Sequence, residues 1–115
     1  MFTLALARLH AEQREYAAAL DVMDKAGSVA RNADFQALRA AVLQRLNRHA
    51  EAVEAFQTAI KGAPQPATSW VGLGISLEAV GRKADAAQAY RRALSSGPLP
   101  PEARDYAEGR ARALE

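Results

Sequence analysis

The chain of 115 residues contains no cysteine. That removes disulfide frameworks, thiolate metal sites and thiol nucleophiles, and it leaves the compartment open. Aromatic residues make up only 6% of the chain, and its five prolines stand at positions 64, 66, 98, 100 and 101. Long stretches are therefore free of helix breakers. There is no run of about 18 apolar residues, so no candidate membrane span is present. No single sign of charge dominates: fifteen Lys and Arg face thirteen Asp and Glu, for a net charge of +2. Such a balance does not imply nucleic acid. The opening MFTLALARLHAEQ lacks the basic flank and cleavage site of a signal peptide. Alanine is abundant, at 28 of the 115 residues in a chain that is half apolar. Alanine is the strongest helix former, and its small side chain lets helices approach closely. The composition fits one all-helical domain and argues against a β-sandwich, a collagen or a disordered tail.

The chain repeats itself. Aligning Ala33–Pro66 with Ala67–Pro100, an offset of 34, places Leu43 on Leu77, Asn47 on Gly81, Ala52 on Ala86 and Phe56 on Tyr90. The same offset places Ala59 on Ala93, Pro64 on Pro98 and Pro66 on Pro100. A fainter copy lies 33 residues upstream, where Ala19, Met23 and Ala26 precede Ala52, Phe56 and Ala59. The third unit is the clearest, with Trp70, Leu73, Gly74, Leu77, Gly81, Ala86, Tyr90, Ala93 and Pro98 in register. The second carries Gln36 and Arg39 where the third has Trp70 and Leu73. The first keeps Leu6, Ala7, Tyr16, Ala19 and Ala26 but has no glycine at its turn. This period and pattern resemble the tetratricopeptide repeat, in which each unit is a pair of antiparallel helices.

The spacing predicts seven helices, roughly 1–12, 15–26, 33–46, 49–62, 67–80, 83–96 and 101–114. The expected fold is an all-α, right-handed α-solenoid of three helix pairs plus a C-terminal capping helix. It forms a single domain with units at about 1–32, 33–66 and 67–100 and the cap at 101–114. Helices crossing at 8–10 Å need small residues at the contact. Gly74 is expected to face Ala86 and Ala93, and Ala40 to face Ala52 and Ala59. Trp70, Leu73, Leu77 and Tyr90 should fill the gaps beside those contacts. Gly81 and Asn47 suit the left-handed backbone that ends many helices. Pro64, Pro66, Pro98 and Pro100 stop the second helices. Pro101 and Glu102 form a favoured helix start. The last helix should turn Tyr106 and Leu114 inward and Asp105, Glu108, Arg110, Arg112 and Glu115 outward, as a polar cap. The N-terminus has no such cap, since Met1, Phe2, Leu4 and Leu6 open the chain. It reads as the exposed end of a fragment, covered in a longer protein by the part that precedes it.

Chemistry-bearing constellations are few. His10 and His49 stand apart from any Ser, Cys or carboxylate at triad or metal spacing, so neither catalytic nor metal-ligating residues are expected. Gly72-Leu73-Gly74 lacks the third glycine and the preceding strand of a phosphate loop. Packing accounts for Gly74 and leaves Gly72 unexplained. The carboxylate pairs Glu51/Glu54 and Asp21/Asp24 fall on faces expected to be solvated, and Arg82-Lys83 and Arg91-Arg92 are short basic pairs. Helical RNA readers of similar period address bases with polar residues. Ala41 and Ile75 occupy such positions here, so nucleic acid is not an expected partner. Neither an enzyme activity nor a cofactor is expected.

The informative surface is the inner face, formed by the first helix of each unit. Counting away from the packed positions puts Leu4, Arg8, Ala11 and Glu12 on it from unit one. Unit two contributes Ala37, Ala41, Gln44 and Arg45, and unit three Val71, Ile75, Glu78 and Ala79. Of these, Arg8, Glu12, Ala37, Ala41, Gln44, Arg45, Val71, Ile75 and Glu78 are the candidate partner-binding residues. The face is apolar in its middle with charges along one edge, as a peptide groove would be. Chaperone-binding members of the repeat family hold a C-terminal carboxylate with lysines and asparagines on this face. Here Ala37, Ala41, Val71 and Ile75 stand at the equivalent places, which argues against that ligand.

Three stretches carry a narrower resemblance: Gln44–Ala52, Trp70–Ala79 and Tyr90–Gly97. They resemble the C-terminal repeat region of the MshN-type proteins of the mannose-sensitive haemagglutinin pilus, a type IV pilus system of Gram-negative bacteria. The resemblance implies a membrane-anchored parent and a repeat domain on the periplasmic side of the bacterial inner membrane. It also implies a role in pilus or secretion-apparatus assembly through protein contacts, with no membrane contact by the repeats themselves. Two other readings stand beside this scaffold: a self-associating module that forms a homodimer, and an accessory domain of an enzyme.

Overall fold

The computed structural model describes residues 2–25, 32–62 and 66–114. These form helices α1 (Phe2–Glu12), α2 (Tyr16–Asp24), α3 (Ala33–Arg45), α4 (His49–Gly62), α5 (Ala67–Ala79), α6 (Lys83–Ser95) and α7 (Pro101–Ala113). Every described residue lies in a helix, a turn or a short connection, and none is in a strand. Met1, Ala26, Pro64 and Glu115, and the side chains of Phe2 and Leu4, lie outside the described residues. Helices α1 and α2, α3 and α4, and α5 and α6 pack as hairpins, and each hairpin leans on the next. The stack is an all-α solenoid with extents of 41 × 26 × 22 Å.

One turn closes all three hairpins. The amide of Glu15 donates to His10 O, that of Arg48 to Leu43 O and that of Arg82 to Leu77 O, at 2.7, 2.8 and 2.9 Å. Beside each bond the residue before the donor is left-handed: Arg14 at φ 61°, Asn47 at φ 60° and Gly81 at φ 86°. This is the six-to-one closure that satisfies the last carbonyls of a helix. The first unit therefore makes its turn without glycine, forcing Arg14 into a conformation that a Cβ disfavours. A Cβ added at Gly81 meets nothing within 4 Å, so its replacement carries a backbone cost alone. Gly81→Ala should cost about 1 kcal/mol, whereas Arg14→Gly should be neutral or stabilising. Urea denaturation of the two variants checks both signs.

The core is built on alanine. Ala40, Ala52 and Ala59, and Ala86 and Ala93, are at most 1% exposed, as small residues between packed helices should be. The expected partner of Gly74 needs correcting. The atoms nearest to a Cβ at Gly74 are those of the Tyr90 ring, at 2.7–2.9 Å, not those of Ala86 or Ala93. Gly72 is explained in the same way, because its added Cβ would lie 2.4 Å from the Phe56 ring tip. The two glycines thus clear room on α5 for one aromatic from each flanking second helix. Phe35, fully buried with Ala7 and Met23, supplies the aromatic at the N-terminal end of the stack. It enters just after Asn32, whose Oδ1 accepts from the amides of Asp34 and Phe35 and so caps α3.

Helix α7 follows the repeat. Ala107 and Ala111 lie 34 residues after Leu73 and Leu77 and are buried like them, at 0% and 6% exposure. So α7 occupies the place of a further first helix, with alanine where leucine stood. Two expectations for it are corrected. Tyr106 is 42% exposed and meets Tyr90 edge-on, with ring centroids 6.0 Å apart. Arg110 does not point outward but bonds back to Glu78 on α5.

Candidate functional site

The first helices touch one another directly, α1 with α3, α3 with α5 and α5 with α7, while the second helices splay further apart. The first-helix side is therefore the inside of the curve. The nine candidate residues meet different fates there. Arg8, Glu12 and Ala41 are exposed. Ala37 is partly exposed, and so is Ile75, which packs on the edge of the core. Arg45 is exposed but holds its guanidinium 6.0 Å above the Tyr16 ring, tying α3 to α2. Val71 was expected on the open face, but it is 8% exposed and belongs to the core cluster. Val71 stands one helical turn before Ile75 on the same face of α5, yet it is packed into the core while Ile75 stays partly exposed.

Gln44 and Glu78 are not free either. Gln44 uses its two Nε2 hydrogens to bond Gly72 O at 2.9 Å and Ser76 Oγ at 2.8 Å on α5. Ser76 is fully buried, and His49 Nδ1 lies 3.2 Å from the same hydroxyl. One unit later, Glu78 accepts from Arg110 Nε at 2.9 Å and pairs with Arg110 Nη2 on α7. The geometry is the same each time. Residues 44 and 78 are equivalent, and each reaches a residue 32 positions on, Ser76 or Arg110, on the next first helix. These bridges join the floor of the inner face. The trace left in the sequence was a polar residue at both positions. Nothing local marked the residues they reach.

The Glu78 bridge has an electrostatic consequence. The Arg110 guanidinium, helped by the Tyr90 hydroxyl that donates to Glu78 Oε1 at 2.8 Å, lowers the carboxyl from its ordinary 4.5 against the opposing effect of burial. Burial, and then that same donation to Glu78, pushes the Tyr90 phenol far above its usual range, so it remains a donor. A carboxyl depressed by folding stabilises the fold above its unfolded value and loses that contribution as pH falls through the folded one. The melting temperature should therefore fall below about pH 4.5, and Glu78→Gln should flatten that fall. Melting curves from pH 2 to 7 read it directly; superimposable pH profiles would refute the bridge.

His10 lies 3.3 Å from Glu15 Oε1 across the first turn, and His49 serves the Ser76 bridge. Among the described residues no group of three or more His, Cys, Asp or Glu could hold a metal ion. No described helix is long and apolar enough to cross a membrane.

Comparison with known proteins places this geometry. The sequence profile of the tetratricopeptide repeat matches residues 37–101 and 71–115. No curated protein sequence matches the chain. The first repeat domain of Spaghetti (RPAP3), solved with an HSP90 peptide, superposes with a TM-score of 0.85 at 21% identity, over 98% of this chain and 90% of that one. The second repeat domain of human RPAP3, in complex with an HSP70 peptide, gives 0.82 at 16% identity, over 97% and 91%. The Sgt2 repeat domain from Aspergillus fumigatus gives 0.82 at 21% identity, over 96% and 75%. At these identities the likeness is one of fold.

Proposed function

Since this chain belongs to the tetratricopeptide repeat family, we propose that it is a non-enzymatic protein-interaction scaffold that holds a peptide or a protein subunit against its first helices. The observation that carries this is the pair Ala41 and Ile75. Exposed Ala41 and partly exposed Ile75 leave apolar surface on the inner face, flanked by Ala37 and bordered by the charged Arg8, Glu12 and Arg45. Exposed apolar surface with a charged rim often marks an interaction site. Support also comes from the fold neighbours, two of which were solved with chaperone peptides bound. Without the lysines and asparagines of a carboxylate clamp, the present face suits a segment held by apolar contact and edge charges. The finer assignment, to the assembly of a type IV pilus or secretion apparatus on the periplasmic side of the inner membrane, rests on sequence resemblance alone. Ala41→Glu with Ile75→Glu should abolish partner capture and leave the helical circular dichroism spectrum intact. Unchanged capture by a folded double variant would remove the inner face from the reading.

Self-association is the second reading. It is favoured by Leu6 at 43% and Leu9 at 48% exposure, three residues apart on α1. Sedimentation equilibrium separates it from the scaffold reading.

A further inference from the structure

The outer side of the stack carries a hollow that the inner-face reading does not use. It opens where α4 and α6 diverge over α5. Its floor is the half-buried Trp70 with Leu73, and Ile60 and Lys61 of α4 line one end around a cavity of about 430 Å³. It continues past Gln57 toward Arg82 at the α5–α6 turn and Gln88 and Arg92 of α6, through a further cavity of about 210 Å³. The larger part is within the size range of sites that take a ligand group. The 34-residue period provides an internal control. Unit two has its own hollow at the same place, lined by Gln36, Arg39, Glu51, Glu54, Ala55 and Thr58. There the floor residues equivalent to Trp70 and Leu73 are Gln36 and Arg39, and two carboxylates stand on the wall. The motif departures of unit two thus fall in this hollow and make it polar, while unit three keeps it aromatic.

Charge separates the two hollows as well. In unit three the lining holds Lys61, Arg82 and Arg92 against the single carboxylate Asp85. Asp85 is already held by Arg82 at 2.8 Å. Among the described residues, no acidic side chain pairs with Lys61 or Arg92. The Arg92 guanidinium lies 5.9 Å above the Trp70 ring. A guanidinium held over an aromatic ring keeps N–H groups free for carboxylates to grip. The contact with the ring also restrains the side chain, so less freedom is lost when a ligand arrives.

We propose that the hollow over Trp70 is a second docking site, which takes an acidic peptide segment of another protein through one large apolar side chain seated between Trp70 and Ile60. The acidic groups of that segment meet Lys61 on one wall and Arg92 on the other. The site faces away from Ala41 and Ile75 and stands without the inner-face reading. By period, the polar hollow of unit two rejects the same segment: Glu51 is held by Arg48 as Asp85 is by Arg82, but Glu54 adds an unmatched carboxylate where unit three has Gln88, and Gln36 and Arg39 offer its anchor no apolar floor.

Trp70 is the only tryptophan, so its emission reports on the hollow directly. The probe is a library of random twelve-residue peptides selected against the whole chain, with tryptophan-free winners titrated by Trp70 fluorescence. Expected are winners with Asp and Glu around a Phe, Leu or Ile, saturable shifts of Trp70 emission, and at least tenfold weaker binding to Lys61→Glu with Arg92→Glu. Ala41→Glu with Ile75→Glu should leave that affinity unchanged. Both charged residues are exposed, and a milder pair, Lys61→Gln with Arg92→Gln, keeps the test readable if charge reversal disturbs folding. Basic winners, no enrichment at all, affinity indifferent to Lys61 and Arg92, or loss of binding in the inner-face variant would each overturn the proposal. So would self-association abolished by the charge reversal, which would assign the hollow to a second copy. Saturable quenching by an oligouridine with no response to acidic peptides would assign it to nucleic acid and overturn the proposal equally.

Discussion

Tyr90→Ala should lower stability by about 3–5 kcal/mol, the range for truncating a buried aromatic. For a domain of this size that corresponds to a fall in melting temperature of roughly 10–20 °C. Tyr90 is the largest fully buried side chain among the described residues, at 0% exposure. Its ring rests against the backbone of Gly74 and receives the edge of Tyr106, and its hydroxyl donates to Glu78. Truncation opens a cavity between α5 and α6. It also removes one of the groups that hold Glu78 in place for Arg110, so the seat of α7 loosens with the third hairpin. Tyr90→Phe isolates the polar part: it keeps the ring, loses one hydrogen bond, and should cost about 1 kcal/mol. A Tyr90→Ala melt no lower than that of Tyr90→Phe would show that the ring is not the keystone described.

Gly74→Ala should be destabilising by about 2 kcal/mol even though alanine favours a helix over glycine by about 1 kcal/mol. The added Cβ would sit 2.7–2.9 Å from three atoms of the Tyr90 ring. Tyr90 has little freedom to retreat, since its hydroxyl is bonded and its flank is covered by Tyr106. The sign should reverse where the ring is absent. In a Tyr90→Leu background, Gly74→Ala should be neutral or stabilising, because the contact it offends has gone and the propensity gain remains. This is a coupling between two residues in contact, and a double-mutant cycle by urea denaturation measures it. Equal costs in both backgrounds would mean that Gly74 serves some other neighbour. Gly72 poses the same problem to Phe56, whose ring tip would lie 2.4 Å from the added Cβ.

The helix ends show how far local signals reach. Pro101 at the start of α7, Asn32 before α3, and Asn47 and Gly81 at the turns all act within a few residues, and the seven helices appear where those signals put them. The turn at Arg14 escaped such a reading. Arginine has no preference for the left-handed region, and the hairpin imposes it by closing Glu15 onto His10. Gly72 escaped for a related reason. The spacing assigned it no neighbour, because the ring it accommodates comes from a different repeat.

The inner face was legible in outline and not in detail. Ala41 is exposed and Ile75 partly exposed, as their helical phase requires. Val71, Gln44 and Glu78 share that phase, yet one is buried and two are bonded to the next first helix. Whether a residue at the edge of a face is free depends on what the adjacent unit presents. Ser76 and Arg110 lie 32 positions further along the chain, where no local pattern connects them.

The sequence by itself determined the period, the helix pairs and the small residues at their crossings. These follow from backbone propensity and from repetition, and both act over fewer than about forty residues. Only the tertiary structure decided which aromatic each glycine makes room for, which polar residues of the inner face are spent joining neighbouring units, and that the outer hollow is polar in unit two and aromatic and cationic in unit three. The physical reason is common to all three: each depends on side chains from two or three helices meeting across a repeat boundary, at distances set by packing and not by position along the chain.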